Sequence, residues 1–439
     1  MYWVIKISRI MLCYYSDYGE TMYDTLIGVL RDNGNHVFRL NINNPAIAID
    51  RWGGNNKIVD KTLIDLILKF NPEIIFNFNN SLPLELYNCV NPECAICVID
   101  ADNPTTFWNQ KYLKDHYQRV FFLGLQSYSK EMYEQFLGVP LSEKNYLYFP
   151  PGTAVCNVKL VQDKNISFIG SNFYPLTIPG GEDFYSKMAL DLYDALKKNY
   201  YLTEGEAAAI CKDCGNVPWL LEKVRAYYVG QDRLKHMQML SDLGFTYYGV
   251  RWWNHIAYYD FELAKCFDST PKITLEDNQW VYNTSKISVN ISHPQAKSSF
   301  SWRVMDIMAS NSCLLMEDKI DWRNLFEKYL SKQTLDAIIY QDMFDMREKA
   351  IKLLNDDKLR QNCVKELNHA IEQNGRWHIR FMQLEKLISK PMVFLDTKDV
   401  TTTSYGNDLN TCALIAPELF ENTGFILKSK MKIRHLIHH

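Results

Sequence analysis

The sequence predicts an α/β protein built from two successive parallel-sheet domains of the Rossmann-like type. Apolar runs of strand length alternate with amphipathic stretches of roughly 10–15 residues, the pattern of βαβ units. That alternation runs from "RIMLCYY" to "NYLYFPP" and resumes at "NISFIGS". With 439 residues, the chain is long enough for two or three separate cores.

The elements follow in order. "RIMLCYY" reads as a strand, the turn "SDYGE" follows, and "TMYDTLIGVLRDNG" reads as a helix. Then come "HVFRLNI", the helix "KTLIDLILKFN", and the strands "EIIFNF" and "AICVID". "RVFFLGL", the helix "SKEMYEQFLG" and "NYLYFPP" complete the first domain, with Gly34 and Gly138 at helix ends, where the left-handed conformation favours glycine. In the second domain a helix-rich segment covers about 183–229. "QDRLKHMQMLSDLG" reads as a helix with Asp232 as N-cap, leading into "FTYYGVRWW" and "YNTSKISVNIS". The helix "WRVMDIMAS", the strand "CLLME" and the helices "MFDMREKAIKLLND", "DKLRQNCVKELNHAIEQN" and "GRWHIRFMQLEKLI" follow. The predicted division is therefore 1–155, 156–375, a closing helix at 376–390 and an extension at 391–439.

Composition bounds the function. The chain is 47% hydrophobic and 23% charged, ordinary for a globular protein, and a net charge of −3 gives no basis for nucleic-acid binding. Eleven scattered cysteines point to reduced thiols and a cytoplasmic setting. Cys94 and Cys97 lie in a strand and read as core, whereas "CKDCG" at 211–215 resembles a metal knuckle without a second pair. The N-terminal run carries Lys6 and Arg9 and reads as a strand rather than a signal peptide. No segment reaches the ~18 uninterrupted apolar residues of a membrane span.

In open parallel sheets ligands sit at the carboxyl ends of strands, and two such domains suggest a ligand in the cleft between them. The stretch "SHPQAKSSFSWRVMDIMASNSCLLME" at 292–317 falls at such a strand end. It offers the hydroxyls of Ser298, Ser299 and Ser301, the polar groups of His293, Lys297 and Arg303, and a helix start, which together suit a phosphate. On a purely structural reading, Ser301 caps the helix and Val304, Ile307 and Met308 form its core face.

The order "YYGVRWW … YNTSKISVNIS … FSWRVMDIMASNSCLLMED", with "DNP" at 102–104, "FPPG" at 149–152 and "ISFIGS" at 166–171, resembles the GT-B-fold glycosyltransferases of the group-1-like (CgeB-like) type. The likeness runs from residue 11 to about 390. It implies two Rossmann-like domains facing a cleft, with the acceptor on the first domain and a nucleotide-sugar donor on the second. It places Tyr248, Gly249, Lys286, Ser299, Trp302, Arg303 and Asp306 at the donor, with Arg303 neutralising phosphate. The Glu-x7-Glu pair of the larger retaining group is absent, which leaves the stereochemical outcome open. "SHPQAKSS" is also similar to the motif of bacterial CMP-sugar (Kdo and sialic acid) transferases. That likeness implies that His293, Ser298 and Ser299 grip CMP and that the donor is CMP-Kdo or a relative. The competing donor is a UDP-, GDP- or dTDP-hexose.

Glycosyl transfer needs a carboxylate near the anomeric carbon. Asp232, Asp102 and Asp17 are the candidates, and the residues leave the choice open. With one phosphate to hold, a CMP-sugar site needs no metal, so none is expected. The expected acceptor is a bacterial cell-surface glycan such as lipopolysaccharide O-antigen or capsule, free or lipid-linked. The basic end "KSKMKIRHLIHH" permits peripheral contact with the inner membrane; a solvated tail is the alternative. A non-catalytic nucleotide-sugar-binding subunit would keep the phosphate loop and need no carboxylate. A dinucleotide-dependent oxidoreductase lacks its glycine-rich turn here, since "SDYGE" has a single Gly.

Overall fold

A computed structural model describes residues 8–16, 21–50, 54–171 and 187–392, apart from positions 213, 250, 251, 252, 254, 255, 258, 259, 271 and 273. The chain divides into two compact units. One comprises Met1–Ala154, Thr274–Glu276 and Gly375–His439, and the other Val155–Ile273 and Asp277–Asn374.

The first unit carries strands β1 (Arg9–Tyr14), β2 (His36–Asn41), β5 (Ile74–Phe78), β6 (Ala95–Ile99), β7 (Val120–Gly124) and β8 (Tyr146–Tyr148). They form one sheet in the order β2-β1-β5-β6-β7-β8, and every pairing is parallel. β5 and β6 are buried at every position, as a central strand covered on both faces must be. Cys94 and Cys97 fall in this core as the sequence predicts, and burial pushes the Cys94 thiol up to about 12. A two-stranded antiparallel ribbon, β3 (Ile47–Asp50) and β4 (Asn55–Ile58), was not foreseen. The helix Lys61–Phe70 starts at Asp60, whose carboxylate accepts from the Thr62 amide, and stops at Asn71 in the left-handed conformation. The helix Trp377–Ile388, expected as a separate closing element, is counted with this unit, and Phe149 lies 6.4 Å from Trp377 and 6.5 Å from Phe381 between ring centres.

The second unit holds β9 (Lys164–Ile169), β10 (Phe245–Tyr248), β11 (Ser285–Asn290), β12 (Cys313–Glu317) and β13 (Ile339–Tyr340). Their order is β10-β9-β11-β12-β13, again all parallel. The chain leaves β9 towards β10 on one side and returns to β11 on the other. The order therefore reverses beside β9, which creates a crevice at the carboxyl ends of β9 and β11. One expectation is corrected here. Asp232 caps nothing, because it lies inside the helix Val217–Gln238, whose cap is Asn216 accepting from the Trp219 amide.

Candidate functional site

The crevice beside β9 is occupied by two arginines from different elements. Arg233, on the long helix, is 3% exposed; it donates to the Ser171 carbonyl beyond β9 and to the Ile291 carbonyl beyond β11 at 3.2 Å. Arg303, on the helix Trp302–Met308, donates to Asn290 Oδ1 at 3.2 Å and Ser301 Oγ at 3.3 Å. Both guanidiniums lie over the ring of Phe168, with carbons 5.5 Å and 5.3 Å from its centre. A planar aromatic face is a favourable bed for one cation, but two cations that close repel each other. Burial and the Arg303 charge push Arg233 down to about 9, so it still carries its charge at neutral pH. Burial likewise lowers Arg303, while Tyr282 and Asp306 act to restore it. Gly170 makes the approach possible, since a β-carbon there would lie 2.7 Å from the Phe168 ring and 3.1 Å from Arg303 Nη2.

Around this pair the loop after β11 is held from below. Tyr340, at the end of β13, donates to the Asn290 carbonyl at 2.8 Å, and Ser301 Oγ donates to Asn290 Oδ1 at 2.6 Å. Glu317, at the end of β12, accepts from the Ser292 amide at 3.3 Å and pairs with Lys319 at 3.5 Å. His293 accepts the Gln295 amide on Nδ1 at 3.0 Å, so its neutral form carries its proton on Nε2. Burial and the Arg233 charge push its pKa down to about 3. His293 is therefore a neutral hydrogen-bond donor at physiological pH, not a cation. Asp232 sits one residue before Arg233; burial and the Glu317 charge hold its carboxyl above the ordinary range, with His236 and Arg233 opposing.

The predicted residues divide accordingly. Arg303, His293 and Asp232 are in this neighbourhood, and Ser299 and Asp306 flank it, Ser299 buried in the loop and Asp306 close enough to Arg303 to support its charge. Trp302 opens the Arg303 helix and is half-buried. Ser298 is engaged elsewhere: its hydroxyl donates to the buried Asp321 carboxylate at 3.0 Å and its carbonyl accepts from the Asp321 amide at 3.1 Å. Ser301 makes no capping bond, because its hydroxyl turns to Asn290. Lys286 stands at the other end of the sheet, donating to Asn165 at the start of β9 at 3.0 Å. Tyr248 is fully buried core, and Gly249 is there for space, since a β-carbon would come within 2.3 Å of the Gly170 carbonyl oxygen.

Asp102 belongs to the first unit, where it is exposed and accepts from Asn79 Nδ2 at 2.7 Å. Asp17 and the basic end at 428–439 lie outside the described residues. Among the described residues no group of acidic, His or Cys side chains is arranged to hold a metal, Cys211 and Cys214 included, and no helix is long and apolar enough to cross a membrane. Arg233, Asn290 and Glu317 were missed as site residues. A polar residue closing an apolar strand was the available signal for Asn290 and Glu317; Arg233 had none.

Two parallel-sheet units, the second with a basic crevice at its strand ends, are the architecture of GT-B glycosyltransferases. Residues 225–386, which include Asp232, Arg233 and the whole loop after β11, match the family described as glycosyl transferase-like. The fold is shared with sucrose-phosphate synthase from Thermosynechococcus elongatus, at 10% identity over 86% of this chain and 98% of that one, with a TM-score of 0.51. It is shared also with an alpha-glucosyltransferase solved with UDP-glucose and DNA containing an abasic site, at 12% identity over 87% and 99% of the two chains, with a TM-score of 0.50. T4 phage BGT in complex with UDP and Mn2+ aligns at 11% identity over 87% and 99% of the two chains, with a TM-score of 0.48. No curated protein sequence matches the chain.

Proposed function

We propose that the chain transfers a sugar from a nucleoside-diphosphate donor, and that Arg233 and Arg303 hold the two phosphates. The observation that carries this reading is the placement of two guanidiniums, Arg233 buried and Arg303 half-buried, over one ring at the reversal point of a parallel sheet. Two like charges gathered at one crevice are stabilised by an anion, and guanidinium forks match phosphate oxygens in pairs. The CMP reading rests on the likeness of "SHPQAKSS" to CMP-sugar transferases and on a loop whose only basic residues are Lys297 and Arg303. Arg233, arriving from a distant helix, adds a cation and favours a diphosphate. UDP is the first nucleotide to try, because the alpha-glucosyltransferase of the same fold was solved with UDP-glucose.

In the reaction the bond from the anomeric carbon to phosphate breaks, and its electron pair leaves on the phosphate oxygen. The arginines meet that developing charge without a metal ion. The acceptor oxygen forms the new bond and gives up its proton, and Asp232, whose carboxyl is raised by burial one residue before Arg233, is the carboxylate we assign to receive it. His293 remains for a CMP donor the single-phosphate ligand of the second reading, with its Nε2–H as donor. Thermal stabilisation by UDP, GDP, dTDP and CMP, each in EDTA, tests both readings. The diphosphates are expected to raise the melting temperature more than CMP does. A larger shift with CMP reverses the donor assignment, and a strict divalent-metal requirement overturns the arginine account.

A further inference from the structure

The turn that carries His293 is closed on itself and bracketed from outside. The Ala296 amide donates to the His293 carbonyl at 2.9 Å and the Gln295 amide to His293 Nδ1 at 3.0 Å, so residues 293–296 make one tight turn. Two side chains at the end of β12 hold its two ends. Glu317 Oε1 accepts from the amide of Ser292, just before the turn, at 3.3 Å. Lys319 Nζ donates to the carbonyl of Ala296, the last residue of the turn, at 2.9 Å. The two holders are themselves an ion pair, with Lys319 Nζ 3.5 Å from Glu317 Oε2. One carboxylate oxygen serves the loop and the other serves the lysine.

Alternation along an extended chain builds this bracket. β12 ends at Glu317, and Lys319 is still extended, with φ −134° and ψ 125°. In extended chain residues i and i+2 share one side, which puts Glu317 and Lys319 together. Asp318, between them, pairs instead with Arg323 at 2.6 Å, and Ile320 is exposed. The next alternate residue, Asp321, meets the loop again through the Ser298 hydroxyl at 3.0 Å. The Lys319 and Glu317 side chains are only 14% and 23% exposed, a depth at which such groups are held by partners. Their partners here are each other and the two ends of the turn.

We propose that Glu317 and Lys319 are positioning residues of the donor site, which set the 292–296 turn and with it His293 and the loop leading to Arg303. The role rests on the reading that this loop meets the donor phosphates, and neither residue is assigned a contact with the donor. Glu317 separates position from charge. Its carboxylate is near enough to Asp232 to raise that group, so it stands beside a site read as binding an anion. By Coulomb repulsion alone, phosphate would bind better without it. As a holder of the turn, Glu317 should do the opposite, and its loss should weaken binding. The two accounts predict opposite signs.

The test compares Glu317→Ala with Glu317→Gln, because both lack the charge and only glutamine keeps an oxygen for the Ser292 amide. UDP and CMP are titrated calorimetrically into wild-type protein, and the tighter of the two is followed through the variants. Hydrogen exchange of residues 293–298 is read beside it in nucleotide-free protein. Glu317→Ala is expected to weaken the nucleotide about fivefold or more and to speed that exchange about tenfold, the scale of one lost hydrogen bond. Glu317→Gln is expected to keep wild-type exchange and to bind as tightly as wild type or more tightly. Lys319→Met, of similar length, removes the other half of the bracket and should speed the same exchange about tenfold. Unchanged exchange in Lys319→Met overturns the proposal, even where Glu317→Ala does not fold. Tighter nucleotide binding by Glu317→Ala, or equal affinities in the alanine and glutamine variants, overturns the positioning role and leaves the donor reading standing. Wild-type protein that binds neither nucleotide overturns the donor reading and this role with it.

Discussion

The carboxyl ends of the two sheets have the same topology and opposite chemistry. In the first unit the reversal point lies between β1 and β5, and asparagines fill the loop after β5. Asn77 donates to Asn80 at 3.1 Å and to Tyr87 at 2.7 Å; Asn80 donates to the Trp108 carbonyl at 2.7 Å. Asn109 donates to Asn56 at 3.2 Å, and Asn56 to the Ser81 carbonyl at 2.8 Å. Asn79, Asn80 and Asn109 all take the left-handed conformation, which asparagine tolerates better than most residues. These groups are neutral and satisfy one another. In the second unit the equivalent crevice is filled by guanidiniums that repel each other. A polar network closed on itself fixes a loop, whereas like charges gathered at a strand end call for a ligand.

The largest effects should separate the two edges. Arg233→Ala and Arg303→Ala are each expected to weaken UDP binding by about 1.5–3 kcal/mol, the range for a charge-assisted hydrogen bond, measured by calorimetry. Asn77→Ala should do the reverse. It leaves the Leu82 amide, which donates to Asn77 Oδ1 at 2.8 Å, without its acceptor, while the Tyr87 hydroxyl keeps its bond to Asn80, at a cost of about 1–3 kcal/mol in denaturant unfolding. UDP affinity should stay within twofold of wild type. A stable Asn77→Ala protein that has lost UDP binding would erase the distinction between the edges.

The sequence made the sheets legible because buried parallel strands read as apolar runs, β6 "AICVI" and β12 "CLLME" among them. Arg303 was legible because it stands in the first turn of the helix that follows the loop after β11. Arg233 was not: Asp232 reads as a helix cap, yet the helix runs through it, and only the fold of that helix against β9 brings Arg233 to Phe168. Lys286 failed for a geometric reason. A six-residue strand spans roughly 20 Å, so a motif that joins Lys286 to His293 joins opposite edges of the sheet.

A smaller effect concerns pH in the first unit. Asp100 is buried, accepts from the Leu125 amide at 2.7 Å and the Ser129 hydroxyl, and burial pushes its pKa up to about 7. A raised carboxyl stabilises the fold below its unfolded pKa near 4, and that contribution fades as pH rises through 7. Stability should therefore decline between pH 5 and 8, by at most ~1.4 kcal/mol per unit from this group. Asp100→Asn, which keeps an acceptor for Leu125, should flatten that slope in thermal melts; an unaltered slope would show that Asp100 is ionised throughout. The smallest effect is a null one in the second unit. With the His293 pKa pushed down to about 3, the pH dependence of UDP affinity from pH 5 to 8, set by the terminal phosphate's own second pKa of about 6, should be the same in His293→Ala as in wild type. A transition near the ordinary histidine pKa of ~6.5 present in wild type alone would show that His293 charges in this range.

The central claim is that two guanidiniums at the β9–β11 crevice hold two phosphates. Calorimetric titration of UMP and UDP into one preparation, in EDTA, tests it most directly. The account predicts that UDP binds at least tenfold more tightly than UMP, and that this ratio falls below threefold in Arg233→Ala. Equal affinities for UMP and UDP in the wild-type protein would contradict it.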